Sequence, residues 1–360
     1  MREICTKNNC CGCRLCENIC PQNAITMGFD EKGFLYPVIN TNLCTNCQLC
    51  KKYCCGNNIK PLSEPLKIYA CKNKNSQTRS SSSSGGTFQE IANLVLNQNG
   101  TVYGAGFNNN YTVEHVKATN LNELENIKRS KYVQSDMKDT VQIIAKDLEQ
   151  NKKVLFSGTP CQVHSIKNYL NNDNLIFVDI VCHGVPSPII FEDYKKYLEN
   201  KYNSKIININ FRYKDENAIQ NMKIDFENGK SYISNFLQKD IFYNLFLKDI
   251  ILRDSCYSCE YKNFNRISDI SLGDFWGYEK GSAKDFGDNK GISLVLINTQ
   301  KGLELFQNIQ DKLEYFEVKK EDCYPYNCFS NFKIPQEYSH FWEEYLKNGF
   351  KYIAEKYFNN

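Results

Sequence analysis

Apolar residues along the chain keep two rhythms. Ile25, Met27 and Phe29 alternate with their neighbours, Asp30 to Gly33 offers a turn, and Phe34, Tyr36 and Val38 alternate again. This predicts a β-hairpin with one apolar face. Phe88, Ile91, Ala92, Val95 and Leu96 instead fall at i, i+3, i+4, i+7 and i+8, the spacing of a helix face, and Thr87 with Glu90 reads as its capping box. Val141, Ile144, Ala145 and Leu148 mark another helix, Val154 to Phe156 a short strand, and Val163, Ile166, Tyr169 and Leu170 the helix after it. Thr159 suits the N-cap of that helix, Pro160 its first position, and Gln162 completes a second capping box. Leu175 to Val181 form the next strand. If the two strands are parallel neighbours joined by a right-handed crossover, Cys161 and Cys182 share the carboxyl edge of the sheet, where open α/β sheets bind ligands.

Farther on, Met222, Ile224 and Phe226, then Asn228-Gly229, then Tyr232 predict a hairpin. A phenylalanine-rich helix contains Phe242, Leu245 and Phe246, and the tail with Phe341, Trp342, Tyr345 and Phe350 predicts an amphipathic helix that buries core. The expected fold class is α+β / α/β, a small N-terminal domain followed by a mixed α/β domain.

The N-terminal part owes that expectation to its cysteines. Cys10, Cys13, Cys16 and Cys20 read C-x2-C-x2-C-x3-C with Pro21 following, and Cys44, Cys47, Cys50 and Cys54 repeat the spacing, each 34 positions after its counterpart. This is the two-cluster bacterial ferredoxin pattern, in which the fourth cysteine of each run ligates the other cluster. One [4Fe-4S] cluster is thus assigned to Cys10, Cys13, Cys16 and Cys54, the second to Cys44, Cys47, Cys50 and Cys20. Zinc sites use pairs of cysteines rather than such triplets, and a disulfide framework suits short secreted chains. Cys55 stands where the second run lacks a proline, a departure that costs no ligand.

A domain of this size buries little core, so metal ligation supplies much of its stability. The domain is expected over residues 1–60, with a boundary near 57–66 at Pro61 and Pro65. Roughly 300 residues remain, enough for one or two cores. The net charge of +3 and the lack of a basic stripe argue against nucleic acid. No signal peptide and no membrane span are expected, and a cytoplasmic, largely anaerobic setting suits so many thiols.

Ser80 to Ser84 with Gly85 and Gly86 reads on composition as a flexible linker. Leading into a capped helix, the same residues offer N–H groups and hydroxyls to an anion such as phosphate. Cys161 lies in the first turn of a helix, where the dipole favours thiolate. Cys256-Tyr-Ser-Cys259 is ambiguous between zinc, a redox dithiol and half a cluster site. With Cys161 and Cys182 the pair makes four, and the preferred reading is a third [4Fe-4S] cluster whose charge Arg253 and Lys262 would balance. The rival is Cys161 as a redox nucleophile over an inert Cys182. Cys5, Cys11, Cys55, Cys71, Cys323 and Cys328 exceed the ligand count and read as ordinary thiols.

Six motifs stand in order: Ser-Gly-Gly-x-Phe at 84–88, Ser-Lys-Tyr-Val-Gln-Ser at 130–135, Ser-Gly-Thr-Pro-Cys-Gln at 157–162, Cys-His-Gly-Val-Pro-Ser at 182–187, Arg-x2-Cys-x2-Cys at 253–259 and Gly-Asp-Phe-Trp-Gly at 273–277. Together they resemble the family of beta subunits of coenzyme F420 (deazaflavin) hydrogenases and dehydrogenases, which includes 7-hydroxymethyl chlorophyll a reductase and glutamate-synthase-like beta subunits. The resemblance covers roughly residues 66–345, leaving 346–360 as a helical tail. It implies a flavoprotein holding FAD beside a [4Fe-4S] cluster. Ser84, Gly85 and Gly86 then look like a flavin-phosphate site, and Lys131, Tyr132, Gln134 and Ser135 like flavin contacts. Lys131 also serves as a charge partner for reduced flavin, or else is a helix-end lysine, and Gly158, Thr159 and Pro160 line the same pocket. His183 is either a proton donor to a substrate or a polar loop residue. Asp274 and Trp276 either close the flavin pocket or form a turn.

The function expected from this is an iron–sulfur flavoenzyme. It passes electrons from ferredoxin or another low-potential donor through the clusters to FAD and on to a small organic acceptor. The alternative is an electron-transfer subunit with no substrate of its own, docked on a hydrogenase or dehydrogenase.

Overall fold

The computed structural model describes residues 3–58, 62–215, 220–234, 240–323 and 329–358. Pro61, at the expected domain boundary, and Cys328 lie outside them. Near the N-terminus β1 (Ile25–Phe29) and β2 (Leu35–Ile39) pair antiparallel, Ile25 opposite Ile39 and Phe29 opposite Leu35. Gly33 N–H closes the turn on the Asp30 carbonyl at 3.0 Å. The two alternating runs do not share one apolar face: Ile25, Met27 and Phe29 stand opposite Ile39, Pro37 and Leu35, which puts Tyr36 and Val38 on the other side. Phe29 is 70% and Val38 56% exposed, while Ile25 and Ile39 line a cavity with cysteines. The 34-residue repeat persists in the backbone. Gly12 and Asn46 are left-handed (φ +68° and +60°), and so are Arg14 and Gln48 (+58° and +64°), each pair standing at equivalent positions of the two runs.

Five strands follow: β3 (Lys67–Asn73), β4 (Thr101–Phe107), β5 (Val113–Ala118), β6 (Val154–Gly158) and β7 (Leu175–Ile180). A separate antiparallel sheet comes next, β8 (Ile206–Tyr213), β9 (Asn221–Phe226) and β10 (Ser231–Ser234), which contains the expected hairpin. The chain then returns with β11 (Ile270–Asp274), β12 (Ser293–Ile297) and β13 (Leu313–Glu317). The large sheet has the order β13-β3-β12-β11-β7-β6-β4-β5. Its middle is parallel, β6 pairing with both β4 and β7, and β7 with β11; the flanking pairings are antiparallel. This is a mixed α/β architecture. As expected, Cys161 and Cys182 follow adjacent parallel strands at one edge.

The capping box at Thr159 forms, its N–H donating to Gln162 Oε1 at 3.0 Å. That at Thr87 does not. Gly86 is the N-cap of helix Thr87–Leu96, with φ +89°, and Glu90 instead accepts from Asn73 Nδ2 on β3 at 2.7 Å. A tertiary partner has taken the carboxylate that the local motif needed. Helix Tyr338–Phe358 buries Phe341, Trp342, Tyr345 and Phe350 and is kinked at Gly349, so it runs through the expected break at 345. Among the described residues no helix is long and apolar enough to cross a membrane.

The N-terminal cysteine-rich segment packs against the rest of the chain. Leu15 joins the core formed by Val141, Ile144 and Val163. Arg14 makes a two-point ion pair with Asp136, and Ser187 Oγ donates to the Lys32 carbonyl at 2.6 Å.

Candidate redox centre

The two cysteine runs fold into the crossed arrangement. One cavity is lined by Cys44, Cys47 and Cys50 together with Cys20, the fourth residue of the other run. Burial raises the Cys50 thiol, and Cys47 and Cys20 add to the rise. Cys16 is raised by burial and then by the charges of Cys13, Cys10 and Cys54, which places Cys54 with the first triplet. Cys5, read as an ordinary thiol, bonds to both Cys10 and Cys54 and is raised by doing so, while Cys10 is lowered to about 7. Cys47 is the exposed cysteine of the second set.

A second cavity is lined by Cys161, Cys182, Cys256 and Cys259. Cys161 and Cys182 come from the carboxyl ends of β6 and β7. Cys256 is brought in because Arg253 N–H bonds to the Val185 carbonyl (3.1 Å) and Cys256 N–H to the Arg253 carbonyl (2.8 Å). Gly184 permits this approach: a Cβ there would lie 2.8 Å from Leu252 Cδ1. Burial pushes Cys256 up to about 11 and Cys259 to about 12, whereas Cys161 is lowered by bonds from Cys11 and Thr159. Thiols held protonated by burial become thiolates when a cation replaces the protons, which is how an iron–sulfur cluster would load here. Four cysteines lining one cavity fit such a group, and so do Cys20, Cys44, Cys47 and Cys50; of the first triplet, Cys13 has its sulfur within 4.8 Å of those of Cys11 and Cys55.

Arg253, only 1% exposed, lies between the centres. It lines the second cavity, donates to the Cys10 carbonyl (2.7 Å) and Leu35 carbonyl (2.8 Å), and reaches Cys10 Sγ at 3.7 Å. Its guanidinium stacks 4.2 Å from the Tyr36 ring centre and bonds Gln134 Oε1 at 3.0 Å.

The residues expected to hold flavin divide between two places. Gln134, Thr159 and Pro160 line the Cys161 cavity, while Ser135 Oγ accepts from Gln162 Nε2 at 3.0 Å and Gly158 ends β6 just before it. Ser84 and Tyr132 lie instead near Arg212 of β8 and Lys214, while Gly85 packs against Cys71 and Ser293 and Gly86 against Asn73. Arg212, 2% exposed, forms a two-point ion pair with Asp274 (2.6 and 3.1 Å), donates to the Tyr132 hydroxyl (3.0 Å) and binds the Ser83 carbonyl (2.8 Å). Lys214 Nζ binds the Ser84 carbonyl at 2.6 Å, and burial lowers it to about 8. Thr87 Oγ1 and Arg212 Nε are buried here with no hydrogen-bond partner among the described residues. Such orphans beside a Ser/Gly loop and two cations fit the phosphate end of a nucleotide cofactor. Gly85 is explained by the sheet: a Cβ there would sit 2.2 Å from the Cys71 carbonyl. The stretch 130–135 joins the two places, since Ser130 N–H bonds Ser83 Oγ at 2.9 Å while Gln134 Nε2 bonds the Cys11 carbonyl at 2.9 Å.

Lys131 turns its ammonium onto the carbonyls of Asn126 (2.5 Å) and Lys128 (2.7 Å) at the end of helix Leu121–Ile127, and burial lowers its pKa. His183 Nε2 lies 2.5 Å from Asp249 Oδ1, and its ring stacks on Phe332. Arg212, Lys214 and Asp249 went unread in the sequence. No local motif contains them, although Arg212 lies near the end of β8 and Lys214 just past it.

The chain is 22% identical over 338 residues to the F subunit of F(420)H(2) dehydrogenase from Methanosarcina mazei, covering 88% of this chain and 87% of that protein. Its fold is similar to that of a chain of the F420-reducing [NiFe] hydrogenase complex from Methanosarcina barkeri, at TM-score 0.50 and 15% identity, over 82% of this chain and 93% of that one. Residues 151–322, from β6 to just past β13, match the family described as the C terminus of the coenzyme F420 hydrogenase/dehydrogenase beta subunit.

Proposed function

We propose that the protein is the electron-transfer subunit of a redox enzyme complex of the hydrogenase or dehydrogenase kind. In this reading it holds three [4Fe-4S] clusters and one FAD. The clusters carry single electrons, and the flavin, when bound, exchanges them in pairs. The observation that carries the reading is the grouping of twelve cysteines into three convergent sets, with Arg253 bridging the first and third. The chain's own residues set the order of the row. The Cys20/Cys44/Cys47/Cys50 set faces outward through Cys47, and the Cys10/Cys13/Cys16/Cys54 set lies inward of it. The Cys161/Cys182/Cys256/Cys259 set sits at the sheet edge. The Ser/Gly loop with Arg212 and Lys214 would hold the cofactor's phosphates, and residues 130–135, at most about 20 Å long when extended, would run beside it toward Cys161. The likeness to one component of a dehydrogenase supports a partner subunit.

Anaerobic purification with iron, sulfide and flavin quantified together tests this. About twelve irons and one FAD per chain are expected; eight irons remove the third set. A second reading, a self-contained reductase of a small organic acceptor fed by ferredoxin, draws on the His183–Asp249 pair. A histidine oriented by a carboxylate beside the third set is equipped to move a proton. Turnover of small acceptors by the isolated chain with a low-potential dye selects this second reading. Activity that appears only with a partner subunit selects the first.

A further inference from the structure

Asp179 is a fully buried acid that the row of cysteine sets leaves unused. It stands on β7 between Gly158 of β6 and Ser271 of β11, three residues before Cys182, and Gly158 stands three before Cys161. At about 3.3 Å per strand residue, Asp179 lies on the order of 10 Å behind the third cysteine set. Neither of its carboxylate oxygens has a hydrogen-bond partner among the described residues. The hydroxyls near it are engaged elsewhere. Ser268 Oγ donates to the Ile270 carbonyl (3.0 Å), Ser271 Oγ lies 3.2 Å from Ser268 Oγ, and Asn298 Nδ2 donates to both (3.1 and 3.0 Å). Arg266, 3% exposed, acts on Asp179 through its charge, yet its Nε and Nη2 also lack partners among the described residues. Lys167 of helix Pro160–Tyr169 adds a second positive charge while its Nζ donates to the Ile267 carbonyl at 2.6 Å. His164 of the same helix turns to the Tyr261 hydroxyl. Asp269, two residues before Ser271, is satisfied by the Phe177 N–H (2.9 Å) and the Thr299 hydroxyl (2.8 Å). A buried carboxylate without hydrogen bonds favours its neutral form, and burial raises Asp179 against the pull of Arg266, Ser271, Ser268 and Lys167.

We propose that Asp179 is a proton-accepting site coupled to the third cysteine set, taking one proton from water when an electron arrives there and returning it when the electron leaves. The proposal rests on the proposed function, which puts a one-electron group at Cys161, Cys182, Cys256 and Cys259. In the step one electron passes from the first set to the third, and one proton passes from bulk water to an Asp179 carboxylate oxygen. The carboxylic O–H is the one bond formed, and the added negative charge is cancelled by the proton. The coupling is reciprocal. An electron on the order of 10 Å away in a protein interior strengthens the hold of Asp179 on its proton by about tenfold, and the proton strengthens the hold on the electron by the same factor. Ionised Asp179 opposes the electron, so the potential of the third set falls as pH rises through the range in which the carboxyl titrates.

The test is redox titration of the full-length, anaerobically purified chain from about pH 5 to 9, a range that a raised carboxyl reaches. The third set is followed as the paramagnetic resonance signal that Cys161→Ser lacks, and iron is counted in every sample. Wild type is expected to show a potential that falls with pH across a window about one unit wide and is flat on either side. Asp179→Asn is expected to stay flat at the acid limit of wild type, and Asp179→Glu to restore a pH-dependent window. The reduced-minus-oxidised infrared spectrum of wild type is expected to gain a carboxylic C=O band that shifts in D2O and is missing from Asp179→Asn. Should Asp179→Asn fail to hold iron, Asp179→Glu decides, since the band then has to change frequency with the longer side chain. A wild-type potential independent of pH, the same pH slope in Asp179→Asn, or no carboxylic band overturns the proposal. About eight irons per chain would remove the third set and the proposal with it, a failure read from iron content rather than from the pH profile.

Discussion

Arg253 Nη2 lies 3.7 Å from Cys10 Sγ, so a cation 243 positions away in the chain touches a sulfur of the first cysteine run. The same guanidinium lines the cavity of Cys161, Cys182, Cys256 and Cys259. Burial works against its charge, and the sulfurs of Cys10, Cys11 and Cys256 act to hold it. One side chain therefore packs the first cysteine run against the sheet edge and places a positive charge beside its sulfurs.

A positive charge at a ligand sulfur stabilises the reduced, more negative state of the group bound there. Arg253→Gln is expected to lower the potential of the first set by about 1 kcal/mol, on the order of 50 mV for one electron. Arg253→Lys is expected to fall between the two. Spectroscopically monitored redox titration checks this, and unchanged potentials with full iron would show that the contact has no electrostatic effect.

The ligand sets predict separable losses. Cys161→Ser is expected to remove about four irons and leave the N-terminal pair. Cys20→Ser is expected to empty the set of Cys44, Cys47 and Cys50, not that of its own run. Iron counting with cluster spectra distinguishes these outcomes. Full iron with lost turnover in Cys161→Ser would favour the nucleophile reading.

Lys214, lowered to about 8 by burial, then Arg212, carries its full charge only below that pH. If it helps hold a flavin phosphate at the Ser84 loop, FAD affinity is expected to weaken as pH rises through about 8. Lys214→Met is expected to bind FAD more weakly and to flatten that dependence. Fluorescence titration between pH 6.5 and 9.5, roughly the window in which such a lysine titrates, is the measurement.

Asp147 gathers Lys117, Lys152 and the Tyr103 hydroxyl at the foot of helix Thr140–Glu149. Burial works to raise its carboxyl, but these partners outweigh it and hold it at about 2. Because the folded value is depressed, the stability it contributes is present above about 4 and is lost as pH falls toward 2. Water reaches the two lysines and screens part of the attraction, so Asp147→Asn is expected to cost about 1 to 2 kcal/mol at neutral pH in denaturant titration. The difference from wild type should shrink in acid.

The two cysteine runs were legible before any fold was known, because their spacing is a local property; that Cys20 lines one cavity with Cys44, Cys47 and Cys50 is seen only in the fold. The parallel strands around Cys161 and Cys182 were legible for a similar reason, since apolar runs and a capped helix between them leave few ways to fold. Local rules failed at Thr87, where Asn73 of β3 claims Glu90, and in the hairpin, where the cross-strand register sets Phe29 opposite Leu35 and Val38 opposite Thr26, so the two alternating runs face opposite sides.

Chain order alone therefore set the spacing of the cysteine runs and which segments become strand or helix, because backbone periodicity and motif spacing act over a few residues. The partnerships of Arg253 with Cys10, Arg212 with Asp274, His183 with Asp249 and Cys11 with Cys55 arose only when distant segments packed together. Charge and hydrogen-bond energies depend on separations of a few ångströms in space, and those separations are set by how the sheet, the loops and the N-terminal domain close on one another.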